Sequence, residues 1–359
     1  MLERKIENRQ LLNIISLFTI VQFAGLLVTI YALGPVEVYA GPVQPASTFS
    51  QALLYLGYII VTAAVIIIIF KFVRGNILFV LMEGFVVLFA TAFLLFIVLS
   101  TIFPNANYVY ILVFSAITTI ILIIAKNYRP RLRNLIAITS SIGVGVVIGL
   151  NGFSLAYILM LLIAIYDYIA VFITKHMITL AKSVSEKNLA FLIGSSDIEA
   201  IPEKYVTKKD KAEFAKAVKV SEVKDPVIRD LIEKGIIPVV SQVQLGTGDL
   251  AIPLMLTVSA YITFLNFTVP VLIIIGSILG LVFTMYLLKR YKVALPAIPP
   301  LFAFINLFLA IAFLLVKTPE SRLWPEFLAV SFATIVILMI KLNQLTQTDS
   351  RKLQVHPSA

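Results

Sequence analysis

Long apolar stretches alternate with short polar ones along this chain. Runs long enough to cross the hydrocarbon core of a bilayer, about 17–25 residues each, fall at roughly 11–33, 51–73, 77–103, 108–126, 134–151, 153–175, 249–265, 268–288, 297–316 and 324–341. The pattern predicts an all-α polytopic membrane protein with nine spanning helices and a tenth at the C-terminal end. The fifth and seventh runs are the weakest, being short or interrupted by glycine and proline.

The polar connections give an orientation. Arg4, Lys5 and Arg9 precede the first run, and the connection at 34–50 carries no Lys or Arg. Lys71 and Arg74 follow the second run, the turn Pro104-Asn105-Ala106-Asn107 is uncharged, and Lys126, Arg129, Arg131 and Arg133 follow the fourth. The Asn151-Gly152 turn is bare, the stretch 176–235 is lysine-rich, the turn at Asn266 is bare, and Lys289, Arg290 and Lys292 come next. Because basic loops stay in the cytoplasm, the alternation places both termini and the long loop there. Only Lys317 and Arg322, in the ninth connection, run against it. The first run is read as a span and not as a cleaved signal peptide. It is longer than a signal core, although Val38-Tyr39-Ala40 loosely resembles a cleavage site.

Composition agrees. Hydrophobic residues make up 60% of 359 positions and charged residues 13%, with a mean hydropathy of +1.00. No soluble core could hide that much apolar surface. Cysteine is absent, which removes disulfides, thiol nucleophiles and thiolate metal sites. With only His176 and His356, a His-Glu-x-x-His zinc helix is impossible, and no Gly-x-Ser-Gly stretch points to a serine protease. No metal or cofactor is expected. The net charge of +10 is spread over many short loops. It reads as topology plus attraction to an anionic lipid face, not as a nucleic-acid surface.

The largest hydrophilic piece is 184–235, a Lys- and Glu-rich segment with Pro202 and Pro226 as breakers. It reads as a solvated linker, with a short amphipathic helix conceivable at 208–219. The chain therefore divides into a helix bundle at 1–183, a cytoplasmic loop at 184–235, a second bundle at 236–316, and a further helix and tail at 317–359. Together the two bundles make one membrane domain.

Of 19 acidic residues, only Glu83, Asp167 and Asp249, apart from Glu326 at the very start of the last run, fall within or at the edge of a span. A carboxylate at membrane depth costs about 2.5–3.5 kcal/mol on insertion scales, so such a residue is a candidate for function. Asp167, in Ile165-Tyr166-Asp167-Tyr168, lies about 12 Å from the cytoplasmic exit of its helix at 1.5 Å per residue. Asp249, in Leu245-Gly246-Thr247-Gly248-Asp249-Leu250, enters from the same side. Matching depth lets the two carboxyls face each other. Such a pair suits amide hydrolysis, because at close range one holds a proton while the other takes one from water. Gly246 and Gly248 would let a substrate backbone approach closely. An ion path or a structural polar pair uses the same residue types and stays open as the alternative. Glu83, in Leu81-Met82-Glu83-Gly84, has no partner motif and reads as a packing or hydration site; His176 reads as interfacial.

A third element, Ala294-Leu295-Pro296-Ala297-Ile298-Pro299-Pro300-Leu301, stands at the cytoplasmic entrance of the ninth run. Its prolines block regular helix and predict irregular backbone, which is tolerated at this depth only against protein or a water-filled cavity.

Taken together, Tyr166-Asp167, then Gly246-Thr247-Gly248-Asp249-Leu250, then a Pro-Ala-Leu-like element resemble the presenilin and signal peptide peptidase family of intramembrane aspartyl proteases. The stretch from Tyr166-Asp167 to Thr174-Lys175-His176-Met177-Ile178-Thr179-Leu180-Ala181 is similar to the sixth helix of the archaeal presenilin homologues. The resemblance covers roughly 10–316. It implies an aspartic endopeptidase of the Gly-x-Gly-Asp type with Asp167 and Asp249 as the catalytic dyad, and Tyr166, Gly246, Gly248, Leu250, Pro296, Ala297 and Ile298 shaping the site or positioning substrate. The substrates implied are transmembrane proteins or signal peptides in the lipid bilayer, and the setting is an archaeal-type cell membrane. Two departures stand out. Ile298 occupies the place of Leu, with Pro299-Pro300-Leu301 as a competing register, and the run at 324–341 adds a helix to the family's nine. A conduit for ions or solutes and a degenerate scaffold are the competing functions; the intact pair of motifs speaks against the scaffold.

Overall fold

The structure is a computed structural model that describes residues 2–40, 53–58, 61–62, 65, 77–126, 130–174, 192–202, 236–291, 295–316 and 322–355. In chain order these form α1 (Leu2–Ala40), α2 (Ile77–Ile102), α3 (Tyr108–Ala125), α4 (Pro130–Gly149), α5 (Phe153–Phe172), strands β1 (Leu192–Pro202) and β2 (Ile236–Gly246), α6 (Thr247–Phe264), α7 (Thr268–Tyr291), α8 (Ile298–Leu315) and α9 (Trp324–Val355). Nine helices among the described residues are long and apolar enough to cross a membrane. They coincide with nine of the ten predicted runs, the helix at 324–344 included. The second run, 51–73, falls largely outside the described residues, as do the 208–219 segment, His176 and His356. The backbone at Glu83 is helical, but its side chain also lies outside the description.

Two differences from the sequence reading emerge. The segment 184–235 is not linker throughout, because β1 lies within it and pairs with β2 in a two-stranded sheet. Secondly, among the described residues of the proline element the irregular backbone is Leu295–Ala297. Pro299 and Pro300 belong to the first turn of α8, where a missing N–H breaks no helical bond.

The described residues group into two compact units, one comprising 1–16 with 194–245 and the other 17–193 with 246–359. The first holds most of the two-stranded sheet. The second is the helical body, whose core is shared by α5, α6, α7 and α8 with Phe327 of α9. Aromatic rings stitch it together: Phe153 to Phe264 at 5.0 Å, Phe264 to Phe313 at 5.5 Å, and Phe313 to Phe327 at 5.3 Å between centroids. α3 by contrast is an outer helix, with Tyr110, Phe114 and Ile121 all more than half exposed. That arrangement suits lipid as the solvent.

Polar side chains are accommodated inside this body by bonding locally. Thr257 Oγ1 donates to the Pro253 carbonyl at 3.1 Å, Ser277 Oγ to Ile274 at 2.7 Å, and Thr284 Oγ1 to Gly280 at 2.8 Å. A hydroxyl that donates to a carbonyl one turn back removes most of the cost of placing it in an apolar interior. α4 packs on α6 through Gly145-Val146-Val147-Ile148-Gly149, a small-xxx-small pattern. A Cβ at Gly145 would stand 3.0 Å from the Ala251 carbonyl oxygen, and one at Gly149 would stand 2.7 Å from Val258 Cβ. α6 is therefore seated by backbone approach, and so is whatever its first turn carries.

Candidate active site

Asp167 lies in the C-terminal part of α5, in unbroken helix. Its Oδ2 accepts a hydrogen bond from the Ile298 amide at 3.1 Å, and the Ala297 amide also faces the carboxyl. The sequence explains this pairing. Pro296, Pro299 and Pro300 have no N–H, so between Leu295 and Leu301 only Ala297 and Ile298 can donate. Those two amides stand at the start of α8, where helical N–H groups lack partners within their own helix. A carboxylate is the natural acceptor there.

Asp249 is reached differently. β2 runs directly into α6, and Asp249 is the third residue of that helix. Gly246, the N-cap, is extended at φ −66° and ψ 143°. A Cβ on Gly246 would stand 3.2 Å from Asp249 Oδ2, so the glycine leaves the carboxyl room to turn. Gly248 is exposed, and a Cβ there would meet nothing within 4 Å. Pro253 interrupts the ladder four residues on and leaves the Asp249 carbonyl without its helical donor.

Both carboxyls line one cavity of about 340 Å³, together with Tyr166, Gly248 and Ile298. Its remaining wall is apolar: Val144 and Ile148 from α4, Leu159 and Ile163 from α5, and Ala251, Ile252 and Met255 from α6. Five of the residues singled out in the sequence are thus brought together here. Gly246 touches the site through Asp249, and Ala297 through Asp167. Pro296 is buried and does not line the cavity. Leu250 is fully buried and faces away from it. Pro299 lines a different cavity of about 240 Å³, between α5, α8 and α9. Of the two possible registers for the proline element, 296–298 is the one that meets Asp167. Among the described residues no group of three His, Cys, Asp or Glu side chains comes together.

Some supporting residues were not foreseen. The Tyr157 hydroxyl bonds Asn306 Oδ1 at 2.6 Å, and Asn306 Nδ2 bonds the Phe302 carbonyl at 2.7 Å. This pair ties α5 to α8 further along the helices from the Asp167–Ile298 bond. Asn306 stands alone as an amide in Phe304-Ile305-Asn306-Leu307. The reasoning that isolates a carboxylate in an apolar run would have isolated it too.

The model of a family described as signal-peptide peptidase, presenilin aspartyl protease matches residues 15–317. The chain belongs to this family. Accordingly it is an integral multi-pass membrane protein and an intramembrane aspartyl protease, and the ion or solute conduit is not favoured. Among solved structures, a presenilin family intramembrane aspartate protease in a P2 crystal form is 18% identical, at a TM-score of 0.52, over 82% of this chain and 97% of that one. The structure in a C222 form is 16% identical, also at 0.52, over 84% and 98%. Both share the presenilin fold. No curated protein compared with the chain matches it. The family match ends at 317, so the helix α9 lies beyond it.

Proposed function

We propose that Asp167 and Asp249 are the catalytic dyad of a Gly-x-Gly-Asp intramembrane protease that cuts peptide bonds within transmembrane segments of membrane proteins or signal peptides. The observation that carries this reading is the shared cavity: two carboxyls on separate helices, with an open glycine beside one and a backbone amide fixing the other. One proton is held between the pair. The ionised carboxyl takes a proton from water, whose oxygen attacks the scissile carbonyl carbon. The protonated carboxyl gives its proton to the carbonyl oxygen, forming a gem-diol. Collapse breaks the C–N bond as the amine nitrogen is protonated, releasing a carboxylic acid and an amine. The Ile298 and Ala297 amides hold the Asp167 carboxyl in place.

A membrane helix hides its amides in its own hydrogen bonds, so a substrate must unwind locally before water can attack it. Each amide left unpaired in lipid costs several kcal/mol. An extended segment of enzyme is the natural replacement partner, and the irregular Leu295–Ala297 is the segment proposed for it. Tyr166 and Leu250 shape the site, Tyr166 from the cavity wall and Leu250 by anchoring the turn of Asp249. The basic loops support a topology with both termini cytoplasmic, in an archaeal-type cell membrane. The division into 1–183, 184–235, 236–316 and 317–359 is proposed with it.

Reconstituted protein incubated with a labelled single-span substrate tests the reading. Cleavage should vanish in Asp249→Asn and persist in Glu83→Gln. Ion flux through the vesicles without peptide product would overturn it.

A further inference from the structure

α1 carries one amide side chain in the middle of an apolar run, Gln22 in Ile20-Val21-Gln22-Phe23. It is fully buried. Its Nε2 donates to the Leu250 carbonyl at 3.0 Å, joining residues 228 positions apart. Leu250 directly follows Asp249, in the first turn of α6.

That turn is short of internal support. Gly246 and Gly248 bring it no side-chain packing, and its internal side-chain tie is the Gly246 amide on the Asp249 carboxyl. Because Pro253 has no N–H, the Asp249 carbonyl lacks the bond that would hold it to the next turn. A carbonyl has two lone pairs, so Leu250 can take the Gln22 amide in addition to its helical donor. One turn further on, α1 closes against α6: a Cβ at Gly25 would stand 2.9 Å from Leu254 Cγ. α4 adds a weaker hold, the Ser141 hydroxyl being shared between the Ala137 carbonyl at 2.7 Å and the Thr247 carbonyl at 3.3 Å. A neutral amide in a membrane interior carries a desolvation cost unless it is bonded; here the Nε2 bond goes to the residue next to a proposed catalytic group, while Oε1 is buried with no partner among the described residues.

We propose that Gln22 is a positioning residue for the dyad: its side-chain amide, delivered by the first helix, fixes the turn that aims Asp249 at the cavity. This rests on the assignment of Asp249 to the dyad. Gln22 does not line the cavity, so its loss acts on the chemical step. The inference predicts a fall in kcat of about tenfold or more, with KM unchanged, since small misplacements of a reacting group are costly. The hydrogen-bonded turn is equally needed to bind a hydroxyl-bearing peptide that mimics the gem-diol, because such mimics read transition-state geometry.

The test compares full-length protein in bilayers carrying Gln22→Met, which keeps reach and removes the donor, with Gln22→Asn, which keeps the amide and shortens its reach. Thr29→Val serves as a control on the same helix, since among the described residues the Thr29 hydroxyl bonds the local Gly25 carbonyl, at 2.8 Å. Both Gln22 variants should lose kcat, hold KM, and bind the gem-diol mimic about tenfold more weakly, while Thr29→Val stays at the wild-type rate. Having two variants keeps the test decisive if one fails to fold. Wild-type kcat in either folded Gln22 variant, or an equal loss in Thr29→Val, overturns the positioning role. If Asp249→Asn itself cleaves normally, the dyad assignment fails first, and the two failures are told apart.

Discussion

The two aspartates reach one cavity from opposite kinds of backbone. Asp167 sits in regular α5 helix, and its carboxyl is fixed by donors that the proline element supplies from α8. Asp249 sits on the first turn of α6, just after two glycines and ahead of a proline. The Gly246 amide of its own N-cap holds its carboxyl, and neighbouring helices seat its main chain by close approach. One carboxyl is therefore fixed by donors from another helix and the other by its own turn, which packing holds in place. The difference follows from what each must do. On the proposed mechanism a substrate backbone needs room beside one carboxyl, and glycine would provide that room only by giving up the side chains that would otherwise fix the turn.

Outside the carboxyls themselves, the largest effects should come from disturbing the packing. Gly149→Leu drives a side chain into Val258 and into the Met255 carbonyl, 2.8 Å from the position of a Cβ, and backbone cannot give way. Overpacking of this kind costs about 1–3 kcal/mol. Thermal unfolding in detergent should show a lower midpoint and cleavage should fall by about 100-fold as Asp249 shifts. A normal midpoint with full activity would mean that α4 does not seat α6.

Gly248→Val separates room for packing from room for substrate. A Cβ there meets nothing within 4 Å, so stability should hold while kcat/KM drops by about 10- to 100-fold through intrusion into the cavity. A variant that cleaves as well as wild type would remove Gly248 from the substrate path. A smaller effect is expected from the substrate itself. Two substrates differing only in a central Gly-Gly or Leu-Leu pair should be cut at rates differing by about tenfold, since glycine costs a helix about 1 kcal/mol per residue relative to good helix formers. Equal rates at matched binding would show that unwinding is not limiting.

The smallest effect is on the α5 side. Tyr157→Phe removes the 2.6 Å bond to Asn306 and leaves the amide oxygen short of a donor, at about 1–3 kcal/mol of stability. Cleavage should fall only severalfold, because the Ile298 amide still holds Asp167. A collapse of activity as complete as that of an aspartate variant would show that the remote tie, not the local one, sets the carboxyl.

How much of this the sequence revealed depended on how costly each residue is in a membrane. Asp167 and Asp249 stood out because an ionisable group in an apolar run needs a reason, and their equal depth made them one site. Nine of the helical runs were legible for the same reason, since lipid demands long unbroken apolar stretches. The strand at Leu192–Pro202 was not, because a mixed polar segment carries no period to distinguish strand from linker. Gln22 and Asn306 were visible as polar residues but not as tethers, because a neutral amide is cheaper than a charge and its partner lies on another helix. Gly145 and Gly149 read only as glycine interrupting a run, because a small residue does not name the helix that packs on it. At the proline element the sequence overstated the irregularity, since Pro299 and Pro300 are suited to a first helical turn as well as to a break.

The central claim is that the two carboxyls work as one unit, and the rates of four forms of the enzyme test it most directly. Wild type, Asp167→Asn, Asp249→Asn and the double variant are reconstituted at equal, verified amounts and given the same single-span substrate. Groups that act together lose nearly all of their joint effect when either is removed, so both single variants and the double should share one floor, about 1000-fold or more below wild type. Either single variant within tenfold of wild type, or a double variant far below both singles, would contradict a shared dyad.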